Sequence, residues 1–375
     1  MRIGLVAGEA SGDLLGAGLI HGIRARVPDA VFEGVAGPAM IAAGCDAWAD
    51  AEQLAVMGVI EPLAHLPQLL RLRSSLVKRW QASPPDVFVG IDAPDFNFGL
   101  EKKLKNAGIR TAHYVSPTVW AWRAGRIETV RRAADRVLCI LPFEKELYDE
   151  AGIDAVFVGH PKATSLPTDI DIASVREVLD IGEGPVVAIL PGSRTNEIKR
   201  LGPAFVMAAK MLLTHRGDLN FVTPIATPKL KPMFEALIDE LGVADHFYLT
   251  EDSVEAMSVA DVVLLASGTA ALESALMARP TVAAARIAPL SAFLIRLIGI
   301  KTPHFTMPNL LTEEPLIPEF IQEDVKASSI AQAVWELLED PARREAISSR
   351  FAKLRAELAL GANERAAEAV IELAQ

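Results

Sequence analysis

Short runs of apolar residues alternate along this chain with longer segments whose apolar residues recur every three to four positions. The short runs are typical of buried strands, and the longer segments are typical of amphipathic helices. The first half predicts strands at 2–7, 31–35, 86–91, 110–115 and 136–141, with a glycine-rich turn at 8–12 and a helix near 13–26. The second half predicts strands at 186–190, 219–225, 246–250, 261–265 and 281–285, a helix at 197–215 and a helical tail at 328–373. This alternation predicts βαβ units and parallel sheets.

The alternation restarts after a break near 160–170, where glycine, prolines and acidic residues interrupt it. We therefore expect an α/β protein of two doubly wound, Rossmann-like domains, residues 1–163 and 164–346, facing each other across a cleft. The last helix, 347–375, is expected to return to the first domain. This is the architecture of GT-B glycosyltransferases and their epimerase relatives, and two dinucleotide-binding domains are the alternative.

The most informative stretch is 89–97, Val-Gly-Ile-Asp-Ala-Pro-Asp-Phe-Asn, in which an apolar run ends abruptly at Asp92. Open α/β sheets bind ligands beyond the carboxyl ends of their strands, so Asp92 is the candidate catalytic group. Asp95 follows Pro94 and fits the N-cap of the next helix better, because Asp side chains accept hydrogen bonds from the first free amides. The alternative is that both acids are turn and cap residues, since Asp and Pro dominate turns.

The turn from Gly8 to Asp13 follows the first strand and lacks the G-x-G-x-x-G pattern of dinucleotide sites. Its carboxylates, Glu9 and Asp13, would repel a pyrophosphate. Together with Ser11 and Gly12 they suit the hydroxyl groups of a sugar, which donate hydrogen bonds to such oxygens. A helix cap is the competing interpretation for Ser11.

Two turns in the second half suit a phosphate. In the first, Gly192 lets backbone approach a ligand, Ser193 can cap the next helix, and Arg194 offers a forked guanidinium. The second places small residues at a helix N-terminus, where free amides and the helix dipole attract a diphosphate; they are Ser267, Gly268, Thr269 and Ala270. A capped helix without a ligand is the alternative for each turn, but two such turns in one half favour a nucleotide.

Composition narrows these choices. The chain has 375 residues, 51% of them hydrophobic, and a formal net charge of −11. This length suits two domains, and the negative charge disfavours nucleic acid, whose phosphates need a basic surface. Cys45 and Cys139 are expected to be reduced thiols, and we expect no targeting segment. No metal-ligand spacing, Walker-type loop or apolar stretch long enough to span a membrane is present, so we expect no metal and no ATP chemistry.

Two apolar segments carry basic residues at their edges. In 56–80, an apolar stretch at 56–60 precedes a helix that places three leucines and Trp80 on one face. Residues 289–298 are apolar nearly all round. Such segments can receive acyl chains or lie on an anionic membrane, and a partner subunit, as in a homodimer, would also cover them. The competing interpretation is an ordinary helix that faces the core.

Ten short motifs, in order along nearly the whole chain, go beyond these patterns. The first half contains Val-Ala-Gly-Glu-Ala-Ser-Gly-Asp (6–13), Gly-Val-Ala-Gly-Pro (34–38), Leu-Ala-Val-Met-Gly (54–58), the 89–97 stretch, His-Tyr-Val-Ser-Pro-Thr-Val-Trp-Ala-Trp-Arg (113–123), Leu-Pro-Phe-Glu (141–144) and Val-Gly-His-Pro (158–161). The second half contains Leu-Pro-Gly-Ser-Arg (190–194), Leu-Ala-Ser-Gly-Thr-Ala-Ala-Leu-Glu (265–273) and Pro-Asn-Leu-Leu (308–311). Together they resemble the lipid-A-disaccharide synthases, a family of GT-B glycosyltransferases.

The resemblance implies a reaction without metal or cofactor. A 2,3-diacylglucosamine unit passes from UDP-2,3-diacylglucosamine to the 6-hydroxyl of 2,3-diacylglucosamine 1-phosphate, and an inverting transfer gives a β(1→6) disaccharide and UDP. It implies a cytoplasmic protein, peripheral to the inner membrane of a Gram-negative bacterium. The alternatives are an isomerase similar to UDP-N-acetylglucosamine 2-epimerase and a non-catalytic protein that binds nucleotide sugars or lipids.

The resemblance assigns the role of base, and the mechanism that follows from it suggests roles for the other candidate residues. Asp92 is the expected general base. Glu273 would hold the ribose of the UDP donor and Asn309 would lie near its phosphate or sugar, beside the two phosphate-suited turns. The turn at 8–13 would line the acceptor side.

Overall fold

The computed structural model describes residues 1–55, 62–117, 125–287 and 304–375. The apolar stretch at 56–60, the segment at 289–298 and the end of the motif at 113–123 lie outside the described residues. The chain divides into two compact units, unit 1 being Met1–Thr164 with Leu358–Gln375 and unit 2 being Ser165–Glu357. Among the described helices, none combines the length and the apolar character needed to cross a bilayer.

Strands and helices alternate in both units. The strands are β1 Arg2–Ala7, β2 Val31–Ala36, β3 Cys45–Asp50, β4 Val87–Ile91, β5 Arg110–Tyr114, β6 Arg136–Cys139, β7 Ala155–Phe157, β8 Val186–Leu190, β9 Asn220–Pro224, β10 Phe247–Thr250, β11 Val262–Ala266, β12 Thr281–Ala285 and β13 Glu319–Ile321. The helices are α1 Glu9–Arg24, α2 Pro38–Ala42, α3 Glu52–Ala55, α4 Pro62–Ala82, α5 Pro94–Asn106, α6 Arg126–Ala133, α7 Pro142–Glu150, α8 Pro161–Ser165, α9 Ile172–Val178, α10 Thr195–His215, α11 Lys231–Glu240, α12 Ser253–Ser258, α13 Thr269–Leu276, α14 Met307–Leu311, α15 Ala327–Glu339, α16 Pro341–Leu358 and α17 Ala362–Ala374. Short 3₁₀ turns lie at Pro228–Leu230, Ala244–His246 and Gln322–Asp324.

Each unit contains a parallel sheet with a reversal of strand order near its middle. In the described part of unit 1 the seven strands run β3-β2-β1-β4-β5-β6-β7, and in that of unit 2 the six run β10-β9-β8-β11-β12-β13. The order reverses between β1 and β4 and between β8 and β11. Ligands of such sheets bind beyond the strand ends at this reversal. The predicted fold class, two doubly wound parallel sheets, is confirmed.

Every strand predicted from the sequence is present, and the three that it missed are edge strands. β3 has one buried residue among its six, and β7 and β13 are only three residues long. A central strand such as β4 is buried on both faces and reads as one apolar run. These three edge strands lack that run, so the pattern of apolar residues does not reveal them, whereas the edge strand β10 was predicted.

Helix α4 packs most of its apolar stripe into the core of unit 1. Leu69, Leu76 and Trp80 are at most 7% exposed, and the Trp80 indole donates a hydrogen bond of 3.0 Å to a Glu33 carboxylate oxygen. For this stripe the ordinary interpretation, a helix that faces the core, is the right one. Only Leu66 and Leu70, each 45% exposed, are left for another partner on the described part of this helix.

Candidate functional site

A pocket of about 180 Å³ lies in unit 1 at the reversal between β1 and β4. It is lined by the residues that follow these two strands and by one residue of α3: Gly8, Glu9, Leu54, Asp92, Ala93, Pro94 and Asp95. Three carboxylates therefore border the pocket. They accept hydrogen bonds and repel anions, so the pocket suits the hydroxyl groups of a sugar.

The backbone at Asp92 has an unusual conformation. Asp92 has φ +52° and Ala93 has φ +42°, in the left-handed region that residues other than glycine rarely adopt. The Asp92 amide donates to the Tyr114 carbonyl at 2.8 Å, and Asn97 Nδ2 donates to the Asp92 carbonyl at 2.8 Å. Backbone in such conformations persists only where its surroundings fix it, and it is concentrated at functional sites.

Asp95 does not cap the helix, so that expectation was wrong. Helix α5 begins at Pro94, its N-cap is Ala93, and Asp95 lies in the first turn with no cap hydrogen bond. Its side chain is 75% exposed, 3.5 Å from Nη2 of Arg126. Proline suits the first helical position because the N–H it lacks would have no partner there. Asn97, rather than Asp95, anchors the turn.

Because the sequence predicts Asp92 as the general base, Asn97→Ala is expected to lower kcat about tenfold, since a small displacement of such a group is costly. The loss should fall on kcat, since Asn97 holds the Asp92 backbone and does not line the pocket. Steady-state kinetics and the affinity for UDP, measured by calorimetry, check this. A variant with normal kcat, or one whose only defect is weaker UDP binding, would contradict the positioning role of Asn97.

The other predicted acceptor residues lie in the first turns of α1 rather than in an open loop. The helix begins at Glu9 instead of near residue 13, and Glu9, with φ +65°, is exposed at the pocket. Ser11 is exposed but lies inside the helix, so it is not its cap. Gly12 is buried, where an added Cβ would lie 3.6 Å from the Ile91 carbonyl oxygen.

Asp13 has a structural role, contrary to its expected place on the acceptor side. It is 4% exposed, and its Oδ1 accepts hydrogen bonds from the amides of Gly37 at 2.8 Å and Met40 at 3.0 Å. Its Oδ2 accepts one from the Ala39 amide at 2.8 Å. These amides belong to the first turn of α2, whose free N–H groups need a partner. Asp13 therefore joins α1 to α2.

A buried ionisable pair escaped the sequence analysis. Glu101 Oε1 lies 2.7 Å from His113 Nδ1, and both side chains are fully buried. The carboxylate occupies the space that a side chain at Gly90 would need. Burial raises the pKa of the Glu101 carboxyl, and the facing His113 opposes that shift. The two residues share no motif or helical spacing, so no pattern along the chain indicates this pair.

A second pocket, of about 440 Å³, lies in unit 2 at the reversal between β8 and β11. Its wall combines both turns that the sequence singled out for phosphate, Gly192–Arg194 and Ser267–Ala270. It also includes the acids Glu197 and Glu251. Within the described ranges, no three His, Cys, Asp or Glu side chains lie close enough together to hold a metal ion.

The turn after β8 is closed by a carboxylate. Glu197 Oε2 accepts hydrogen bonds from the amides of Ser193 at 2.8 Å and Arg194 at 3.2 Å. Ser193 therefore does not cap α10, whose N-cap is Arg194. The side chain of Arg194 is 83% exposed, with Nη1 3.6 Å from Glu197 Oε1.

The turn after β11 leads directly into α13. The amides of Thr269 and Ala270 are among the four that a helix leaves without an internal partner. The positive end of the helix dipole adds to their attraction for an anion. Glu273 follows one turn later, half-buried and outside the residues that line the pocket.

The expected contact between Asn309 and a donor conflicts with the hydrogen bonds that its side chain makes. Asn309 is 3% exposed. Its Nδ2 donates to the Ile317 carbonyl at 2.8 Å and to Glu319 Oε1 at 2.9 Å. Its Oδ1 accepts from the amides of Leu316 at 2.8 Å and Ile317 at 2.9 Å. The amide is thus fully used in holding the segment that leads into β13.

Comparison with known sequences places the chain beside one group of enzymes. A family model described as lipid-A-disaccharide synthetase matches residues 3–373. The lipid-A-disaccharide synthase of Alkalilimnicola ehrlichii is 46% identical over 378 residues, covering 100% of this chain and 99% of the relative. That of Xanthomonas campestris pv. campestris is 46% identical over 376 residues, covering 99% of this chain and 86% of the relative.

Solved structures share the fold at low sequence identity. Acinetobacter baumannii MurG is similar with a TM-score of 0.60 at 15% identity, over 99% of both chains. UDP-GlcNAc 2-epimerase from Neisseria meningitidis, bound to UDP-GlcNAc, is similar with a TM-score of 0.61 at 13% identity, also over 99% of both chains. These similarities identify the fold as GT-B.

Proposed function

The chain belongs to the lipid-A-disaccharide synthase family, and we propose that it transfers 2,3-diacylglucosamine from UDP-2,3-diacylglucosamine to the 6-hydroxyl of 2,3-diacylglucosamine 1-phosphate. It is a glycosyltransferase of lipid A disaccharide synthesis, with a nucleotide-sugar donor and a lipid acceptor. The products would be the β(1→6) disaccharide and UDP. One observation carries the proposal within this family: carboxylates border the pocket of unit 1, whereas phosphate-suited turns border that of unit 2.

The proposed donor site is the pocket of unit 2. Its volume of about 440 Å³ suits a nucleotide. The diphosphate would accept hydrogen bonds from the amides of Thr269 and Ala270 and from the guanidinium of Arg194, which binds phosphate with two parallel bonds. Glu273 would hold the ribose diol. Fixed donors of this kind stabilise the charge on departing UDP, so the transfer would need no metal.

The proposed acceptor site is the pocket of unit 1. The Asp92 carboxylate would take the proton of the acceptor 6-hydroxyl as that oxygen attacks the anomeric carbon of the donor. The bond from the anomeric carbon to UDP breaks, UDP leaves with the electron pair, and the anomeric configuration inverts. Glu9 and Ser11, both exposed near the start of α1, would accept hydrogen bonds from other hydroxyls of the acceptor.

The exposed part of α4 is the proposed contact with lipid. Leu66 and Leu70 are exposed on α4, and the same helix carries the exposed cations Arg71 and Lys78. Apolar side chains fringed by cations suit acyl chains at an anionic membrane surface, which for this reaction would be the cytoplasmic face of the inner membrane.

The assay that tests the proposal supplies the UDP-diacylglucosamine donor with and without the monosaccharide acceptor. We expect UDP release to depend on the acceptor and to match disaccharide formation one for one. An isomerised sugar formed without acceptor would instead indicate an epimerase-like enzyme. Donor binding without turnover in either condition would indicate a carrier.

A further inference from the structure

An acid holds the turn after β8, one of the two phosphate-suited turns that border the unit 2 pocket. Glu197 Oε2 accepts hydrogen bonds from the amides of Ser193 at 2.8 Å and Arg194 at 3.2 Å. Its Oε1 lies 3.6 Å from Nη1 of Arg194. One carboxylate thus engages two amides and the guanidinium of the same turn.

Gly192 leaves the space in which this carboxylate lies. Its φ is +113°, and an added Cβ would lie 2.5 Å from both Cβ and Oε2 of Glu197. Any other residue would therefore push the acid off the turn. The turn Pro-Gly-Ser-Arg, predicted to suit a phosphate, thus holds a carboxylate of its own chain.

The groups that Glu197 engages are those that an oxyanion needs. Successive backbone amides in a turn, with a guanidinium beside them, form a concave site for phosphate or carboxylate. A diphosphate that takes the Ser193 and Arg194 amides must displace Glu197, because two anions cannot share those donors and they repel each other.

We propose that Glu197 is a built-in competitor of the donor diphosphate, holding the Ser193 and Arg194 amides until UDP displaces it and taking them back when UDP leaves. The inference rests on the proposed donor site in unit 2. The carboxylate keeps the turn folded in the free protein. The apparent affinity for UDP is then the intrinsic affinity multiplied by the fraction of molecules in which Glu197 has left the two amides. Its return after the transfer would speed the release of UDP, a step that often limits turnover.

UDP binding to the full chain tests the competition. Calorimetry on wild type and Glu197→Gln should show UDP bound about tenfold tighter by the variant, since a charged acceptor is exchanged for a neutral one. Stopped-flow displacement should show a correspondingly slower dissociation of UDP. The control is Glu240→Gln, which removes the same charge from an exposed position of unit 2 outside the pocket and should shift the affinity by less than about twofold, because salt screens such a charge.

Each result decides a separate question. An equal gain in UDP affinity in Glu197→Gln and in the control would mean that removal of any negative charge causes the effect, which would overturn the competition. Unchanged or weaker UDP binding by Glu197→Gln would also overturn it. Glu197→Ala, checked for folding by circular dichroism, should also bind UDP tighter. If it binds more weakly while Glu197→Gln is unchanged, Glu197 only supports the turn. A wild-type protein that fails to bind UDP would overturn the donor site and this inference together.

Discussion

Asp92→Asn is expected to lower kcat at least about 100-fold while the protein stays folded, because general base catalysis typically contributes 10²–10⁴-fold. The neutral amide cannot take the proton of the acceptor hydroxyl. Asn is the matched replacement for two reasons. It has the shape of Asp, and it tolerates the left-handed backbone, φ +52°, that this position requires. Steady-state kinetics give kcat, and circular dichroism gives the folded fraction.

Asp95→Asn is the control for that experiment. It removes the same charge from the same pocket, three positions along the same turn. Its kcat should stay within about threefold of wild type, because its exposed pairing with Arg126 contributes little. If both variants lose activity equally, the effect is one of general charge. Near-normal turnover by Asp92→Asn would remove Asp92 from the role of base.

Arg194→Ala is expected to raise the donor KM, and the Kd for UDP, about 50-fold, since a hydrogen bond between charged partners is worth about 1.5–3 kcal/mol. The guanidinium is 83% exposed and paired only loosely with Glu197, at 3.6 Å, so its loss should leave the free protein folded. Donor kinetics and UDP calorimetry measure the two constants, and the acceptor KM should change far less.

Lys199→Ala is the matched control for the arginine. Lys199 is an exposed cation on the same helix and is not among the residues that line the pocket. Its removal should change donor use less than about twofold, since an exposed charge outside the site is screened by salt. An Arg194→Ala variant with unchanged donor KM and kcat would exclude a direct contact between Arg194 and the donor.

Much of the candidate site follows from where polar residues stand relative to strands. Asp92 and the turns at 191–194 and 266–270 each come directly after a buried run, and the structure places each at the edge of a pocket. Whether they act on substrates stays a prediction.

The errors concern residues whose partners are far along the chain or depend on where a helix starts. The amides that Asp13 holds are 24 to 27 positions away. Asn309 is committed to residues 7 to 10 positions ahead. Asp95 lost its expected role because α5 begins at Pro94, two residues earlier than a cap at Asp95 would require. A polar side chain that ties two elements together has the same local pattern as one that awaits a ligand.

The sequence by itself determined the βαβ units, the position of every central strand, the turns that follow them and the family. These follow from the sequence because burial and helix or strand periodicity act between residues near each other along the chain. Only the tertiary structure decided which turns share a pocket, since two turns about 75 residues apart meet through the pairing of β8 with β11. It also decided that Asn97 anchors the Asp92 turn and that Glu197 closes the phosphate-suited one. Strand order and side-chain contacts arise from packing between distant segments, and no local pattern records them.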